Sequence, residues 1–92
     1  MSFAKPESPI TIEELLLLHG WLIHFKDSDV CSLVNPRDRK ARPICIPQNA
    51  GPKGLLSAEI VRNILFDAGI SDTLYPVLLA KVQALQEAAK NL

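Results

Sequence analysis

The spacing of hydrophobic and polar positions changes along the chain, and each change predicts a new structural element. A first helix is predicted over residues 12–19. Its leucines lie on several sides of the helix, so it is expected to be buried on more than one face. Thr11 and Glu14 fit a capping box at its start. Gly20 fits a left-handed helix end.

After Gly20 the hydrophobic period becomes two, which predicts strands. Trp21, Ile23 and Phe25 are expected on one face of the first strand, with Trp21 in the core. The opposite face would carry Leu22, His24 and Lys26. The aspartates at 27 and 29 favour a turn, and residues 30–34 and 44–46 predict two further strands, the last bounded by prolines.

Two helices are predicted after the third strand. Ser57 is a suitable N-cap for the second helix, and Gly69 is a suitable end. The third helix follows residues 71–73 and has hydrophobic positions spaced four, three, four and three, which is typical of a helix–helix seam. This seam would pack on the domain's own core or contact a protein partner or second copy. It consists of Leu78, Val82, Leu85, Ala89 and Leu92.

These elements predict an α+β fold: a helix, a three-stranded antiparallel sheet, a second helix, and an additional C-terminal helix. The first two helices would cover one face of the sheet. Residues 1–10 are expected to be a flexible lead-in and residues 11–92 a single domain, because 92 residues do not provide two hydrophobic cores. No targeting or membrane segment is evident, so a cytoplasmic location is expected.

Composition limits the function without defining it. Ten basic and ten acidic residues give a net charge of zero, whereas nucleic-acid-binding proteins usually carry a basic excess. Cys31 and Cys45 lie in apolar stretches outside any zinc-ligand pattern, so both are expected to be buried free thiols. No metal or cofactor is expected.

Four segments in order resemble the HicA-type (YcfA-like) toxin family, whose fold is similar to that of double-stranded-RNA-binding domains. The resemblance covers residues 11–71, and residues 72–92 extend beyond it. The segments are Leu-His-Gly-Trp at 18–21, Asn-Pro at 35–36, Ile-Cys-Ile-Pro at 44–47 and Val-Arg-Asn-Ile-Leu-Phe-Asp-Ala-Gly-Ile at 61–70.

The resemblance implies ribonuclease chemistry through a histidine in the turn between the first two strands. Here that position falls on Asp29 or, aligned from the other side, on Val30. Neither side chain replaces imidazole as a base near neutral pH. We therefore expect a non-catalytic interaction module that binds a protein partner, or nucleic acid weakly. The alternatives are a ribonuclease toxin of a toxin–antitoxin system, with His24 as a weak catalytic candidate, and a self-associating structural or regulatory protein.

Two basic segments are the candidate contacts for phosphate. The first is the turn between the second and third strands. Its basic side chains would contact phosphate groups or, as the alternative, would only be solvated. The second is the approach to the second helix, which can present backbone N–H groups to an anion and to which the resemblance adds weight. The residues are Arg37, Arg39, Lys40 and Arg42 in the turn, and Lys53 and Gly54 before the helix.

Overall fold

The computed structural model describes residues 4–49 and 51–91 and has the α+β architecture that the sequence predicts. Three antiparallel strands follow the first helix, and two more helices follow the strands. The elements are α1 (Pro9–Leu18), β1 (Leu22–Lys26), β2 (Val30–Val34), β3 (Ile44–Pro47), a short 3-10 turn (Pro52–Gly54), α2 (Ala58–Asp67) and α3 (Leu74–Lys90).

The first helix begins earlier than the sequence pattern predicts. The N-cap is Ser8 and not Thr11, because Ser8 Oγ accepts a hydrogen bond of 3.3 Å from the Thr11 backbone N–H. Pro9 then occupies the first helical position, where its missing N–H costs nothing. The helix end is confirmed: Gly20 adopts a left-handed conformation with φ of 100°.

The sheet order is β1-β2-β3, with a bulge in β1 that the strand pattern does not reveal. Ile23 pairs with Leu33 and Phe25 with Ser32, so His24 is the extra residue. The prediction that Ile23 and Phe25 share a face is therefore wrong. Lys26 instead shares the helix-covered face with Ile23, and Phe25 lies on the opposite face, because one extra residue reverses the alternation.

An ion pair holds Lys26 on the helix-covered face. Lys26 Nζ lies 2.8 Å and 3.1 Å from the two carboxylate oxygens of Glu13 in α1. Glu13 is buried, and a buried carboxylate is costly unless it is paired. Placing Phe25 on this face would leave Glu13 without its cation, so the bulge and the ion pair support each other.

All three helices and the inner sides of the strands share one hydrophobic core. α1 contributes a wide apolar surface, as the leucine pattern predicts, and Trp21 is buried as expected. The prediction of two buried thiols is half wrong, because Cys31 is buried and Cys45 is exposed. The largest fully buried side chains are Ile12, Leu15, Leu16, Leu33, Ile46, Leu56, Val61, Val82 and Cys31.

A side-chain cap begins α2, whereas the N-cap of α3, Thr73, makes no side-chain capping hydrogen bond, and a serine two residues earlier accepts from the first turn instead. Ser57 Oγ accepts from the Ile60 backbone N–H at 3.2 Å, as predicted for α2. Before α3, Ser71 Oγ accepts from the Leu74 N–H at 3.1 Å. Among the described residues, no helix combines the length and the apolar character that crossing a membrane requires.

Candidate interaction surfaces

The turn between β1 and β2 is held by its own aspartates. Asp27 Oδ1 accepts from the backbone N–H groups of Asp29 and Val30 at 2.7 Å and 2.9 Å. Asp29 Oδ1 accepts from Asn49 Nδ2 at 2.8 Å, which ties the turn to the segment after β3. Of the two positions that the resemblance assigns to the catalytic histidine, Asp29 therefore carries a carboxylate that anchors the turn, and Val30 carries no ionisable group.

His24, the weak catalytic candidate, is the extra residue of the β1 bulge and is exposed to solvent. The residues at 27 and 29 do not form a metal site with it: within residues 4–49 and 51–91 no group of three or more potential ligands lies close enough to hold a metal ion. Among the described residues, no carboxylate lies within ion-pair distance of His24.

The turn between β2 and β3 presents the basic side chains outward. Asn35 Oδ1 accepts from the Arg37 N–H, and Asp38 Oδ1 accepts from the Lys40 N–H, each at 3.0 Å, so acceptor side chains fold the turn while the cations remain exposed. The only ion pair among the described residues joins Lys26 and Glu13. The basic turn therefore has no carboxylate partner in the described part of the chain.

Lys53 and Gly54 lie in the loop that follows β3, both in left-handed conformations, with φ of 62° and 70°. This loop lines a shallow pocket of about 480 Å³ with Pro6, Pro47 and Ile60. The basic turn precedes β3, whereas Lys53 follows it, so the two segments lie beyond opposite ends of a strand about 13 Å long. The structure does not join the two predicted phosphate contacts into one site.

The predicted seam of α3 divides between core and surface. Leu78 and Val82 are buried, whereas Leu85 is 57% exposed and Ala89 is exposed. Leu92, the last predicted position, lies outside the described residues. The first half of the seam packs on the domain's own core, and the second half remains available to another molecule.

The exposed half of the seam forms one wall of an apolar groove, which we call the α1–α3 groove. The other wall is α1, and the space between them measures about 560 Å³. Gln86 crosses between the helices, since its Nε2 donates to Thr11 Oγ1 at 3.1 Å and to Glu14 Oε2 at 3.3 Å. The lining residues are Ile10, Glu14, Leu17, Leu18, Leu85, Gln86, Ala89 and Lys90.

The structure also exposes an apolar sheet face that the sequence analysis missed. The strand register places Leu22, Phe25 and Cys45 on the side opposite the buried Cys31 and Leu33, and all three are exposed. The bulge at position 24 produces this face by turning Phe25 outward. A simple alternating pattern gives no signal for it, because it predicts Phe25 in the core.

Burial and charge act together around the ion pair of β1 and α1. The hydrogen bond to the Glu13 carboxylate raises the pKa of Lys26 above its usual range. Burial, and then the charge of Glu13, raise the pKa of the Cys31 thiol. Cys31 is also fully buried, and a buried thiol with a raised pKa is typical of a structural cysteine.

Comparison of the chain with protein-family models, with curated proteins and with solved structures finds no match to any of them.

Proposed function

We propose that the protein is a non-catalytic interaction module on a HicA-like scaffold, and that it binds a protein partner by accepting an amphipathic helix in the α1–α3 groove. The observation that carries this proposal is the groove itself. Its lining is predominantly apolar, and Leu85 is 57% exposed within a regular helix. A cluster of exposed apolar side chains with a polar rim is typical of surfaces that bind other proteins.

The β1–β2 turn supports the non-catalytic part of the proposal. Cleavage of RNA by its own 2′-hydroxyl needs a group that accepts a proton near neutral pH. Neither candidate position carries an imidazole: the Asp29 carboxylate accepts a hydrogen bond from Asn49, and Val30 has no ionisable group. Asp27 and Asp29 also place negative charge where a phosphate would have to lie.

A second candidate function is weak, salt-dependent binding of nucleic acid through the basic turn. It is favoured by one observation: the cations of that turn are exposed and lack carboxylate partners among the described residues. The separation of Lys53 from this turn limits the number of phosphates that the protein would contact at once. Since each contact adds to affinity and to the salt dependence, we expect such binding to be weak.

A gel-shift titration against double-stranded RNA and DNA at low and high salt tests these functions together, with strand integrity checked on the same gel. We expect intact strands and no gel shift at roughly 10 μM protein, a concentration at which non-specific binding is already detectable. Cleaved RNA would show that the non-catalytic proposal is wrong and would direct attention to His24. A shift that disappears at high salt and in an Arg39→Glu variant would replace the protein-binding proposal with the nucleic-acid one.

A labelled amphipathic helical peptide gives the positive test of the groove. Binding is followed by fluorescence anisotropy for the wild type and for Leu85→Asp, which places a charge in the apolar wall. Val77→Asp is the matched control: Val77 lies on the same helix, is 50% exposed, and does not line the groove. Loss of binding in Leu85→Asp alone is expected, and equal binding by all three proteins would contradict the proposed docking surface.

A further inference from the structure

The rim of the α1–α3 groove carries both signs of charge. Glu14 lies on the α1 wall and Lys90 on the α3 wall. Glu14 contacts Gln86, and Lys90 is one helical turn beyond Gln86, about 6 Å along the axis. The two charges are not paired with each other, because the only ion pair among the described residues is Lys26–Glu13.

A surface with one acid and one base beside an apolar centre is complementary to a copy of itself. In a two-fold dimer the same patch contacts itself, so every contact occurs twice. Rotation by two-fold symmetry lets Glu14 of each copy face Lys90 of the other, while Leu85 and Ala89 meet apolar side chains of the opposite groove. The net charge of zero adds no repulsion between copies.

We propose that the helix which occupies the α1–α3 groove is α3 of a second copy of this chain, an inference that rests on the proposed function. The protein then forms a two-fold dimer through the α1–α3 groove. The four-three spacing that buries Leu78 and Val82 in the domain continues into Leu85 and Ala89. A second α3 presents the same spacing to the groove. Two α1–α3 pairs thus form a four-helix interface whose seam is an extension of the domain core.

The size of the surface sets the expected strength of the dimer. α1 has 10 residues, which is about 15 Å of helix, and along α3 only the part beyond the buried Val82 is exposed, so the patch is about 15 Å long. At a usual helix spacing of about 9 Å and a helix diameter of about 10 Å, the patch presents roughly 300 Å² per copy. The total of roughly 600 Å² is below the range of stable specific interfaces, so we expect a weak dimer with a dissociation constant of roughly hundreds of micromolar.

Sedimentation equilibrium of the full chain between about 20 μM and about 2 mM, which brackets a dissociation constant of hundreds of micromolar, tests the dimer. The wild type should change from monomer to dimer across this range. Leu85→Asp should remain monomeric, and Val77→Asp should behave like the wild type. A wild type that is monomeric throughout overturns the dimer, as does a dimer that persists in Leu85→Asp, since the latter would use another face.

Charge exchange tests the self-complementary rim directly. Glu14→Lys and Lys90→Glu each place like charges opposite one another across the two-fold axis, so each variant alone should dimerise at least several-fold more weakly. Mixing the two variants restores both oppositely charged contacts in the heterodimer. Recovery of the wild-type dissociation constant on mixing is expected. No recovery would show that Glu14 and Lys90 do not face each other between copies and would overturn the proposed arrangement.

The two proposals fail in different experiments. RNA cleavage would contradict the non-catalytic function and leave the dimer measurement unaffected. A monomeric wild type that still binds the labelled amphipathic peptide would overturn the second copy as occupant and retain the groove as a site for a different protein.

Discussion

Tyr75 in α3 brings a hydroxyl group into the hydrophobic core. The residue is only 3% exposed, and its hydroxyl oxygen has no hydrogen-bond partner among the described residues. A buried hydroxyl without a partner costs about 1–3 kcal/mol, because it has lost its hydrogen bonds to water. Replacing Tyr75 with phenylalanine removes this cost and keeps the ring that packs against the core.

We expect Tyr75→Phe to raise the free energy of unfolding by about 1 kcal/mol, the lower end of the cost of an unpaired hydroxyl. For a domain of this size, that change raises the melting temperature by about 4–8 °C. Urea unfolding followed by the fluorescence of Trp21, the only tryptophan, gives the midpoint and the slope of the transition. The midpoint should increase at an unchanged slope.

Tyr75→Leu is the control, because it removes the hydroxyl and also part of the ring volume. The lost packing leaves a cavity, so this variant should be less stable than Tyr75→Phe. A Tyr75→Phe protein that is less stable than the wild type would refute the reasoning. It would mean that the hydroxyl has a hydrogen-bond partner in solution, such as a water molecule.

The response to alkaline pH gives an independent check of the same argument. Burial, and secondarily the charge of Glu7, raise the pKa of Tyr75 above its ordinary value of 10.0. The folded state therefore holds the phenolic proton more tightly than the unfolded state. This contribution to stability is complete below the ordinary pKa and is lost as the pH rises through the higher folded value. Tyr75→Phe should lose less stability than the wild type over that range.

Three further predictions are each tested by urea unfolding. Burial raises the pKa of Glu7 above 4.5, and a nearby lysine lowers it by a smaller amount, so ionisation of Glu7 opposes folding. Glu7→Gln should therefore be more stable than the wild type, and the difference should be larger at about pH 7 than at about pH 4. An equal difference at both pH values would contradict this. Lys26→Met leaves the buried carboxylate of Glu13 without its cation, so the variant should be destabilised, and adding Glu13→Gln should restore part of the lost stability. No recovery in the double variant would refute the ion-pair argument. Gly20→Ala places a side chain on a residue in the left-handed conformation and should lower the free energy of unfolding by about 1–2 kcal/mol. Gly51→Ala is the control and should be nearly neutral, because Gly51 has no positive φ and an added Cβ would make only an ordinary contact at 3.8 Å. Equal losses in the two variants would contradict the conformational explanation.

The order and type of the helices and strands follow from local signals that are visible in the sequence alone. Gly20 and Gly69 end helices through left-handed conformations, and Ser57 caps α2 with its own side chain. These signals act within a few residues, so they can be read without knowledge of the rest of the chain. The sequence pattern predicts the wrong N-cap for α1, because Ser8 and Thr11 are both suitable caps and the proline between them decides the choice.

The candidate surfaces depended on contacts between distant parts of the chain. The alternating pattern of β1 places Phe25 inside and Lys26 outside, and only the pairing of Lys26 with Glu13, thirteen positions away, reverses both through the bulge at His24. The exposed sheet face follows from that reversal. A strand pattern records which residues alternate, but a bulge depends on what the opposite element provides, so it cannot be read from the strand alone.

The seam of α3 shows the same division. Its four-three spacing is visible in the sequence and predicts a helix–helix contact. The spacing does not identify the helix against which α3 packs. Packing against the core buried Leu78 and Val82 and left Leu85 beside α1 with no described residue covering it. The sequence therefore determined that α3 has a side to bury, and the tertiary structure decided how much of that side remains exposed, because the domain core covers only the first half of the helix.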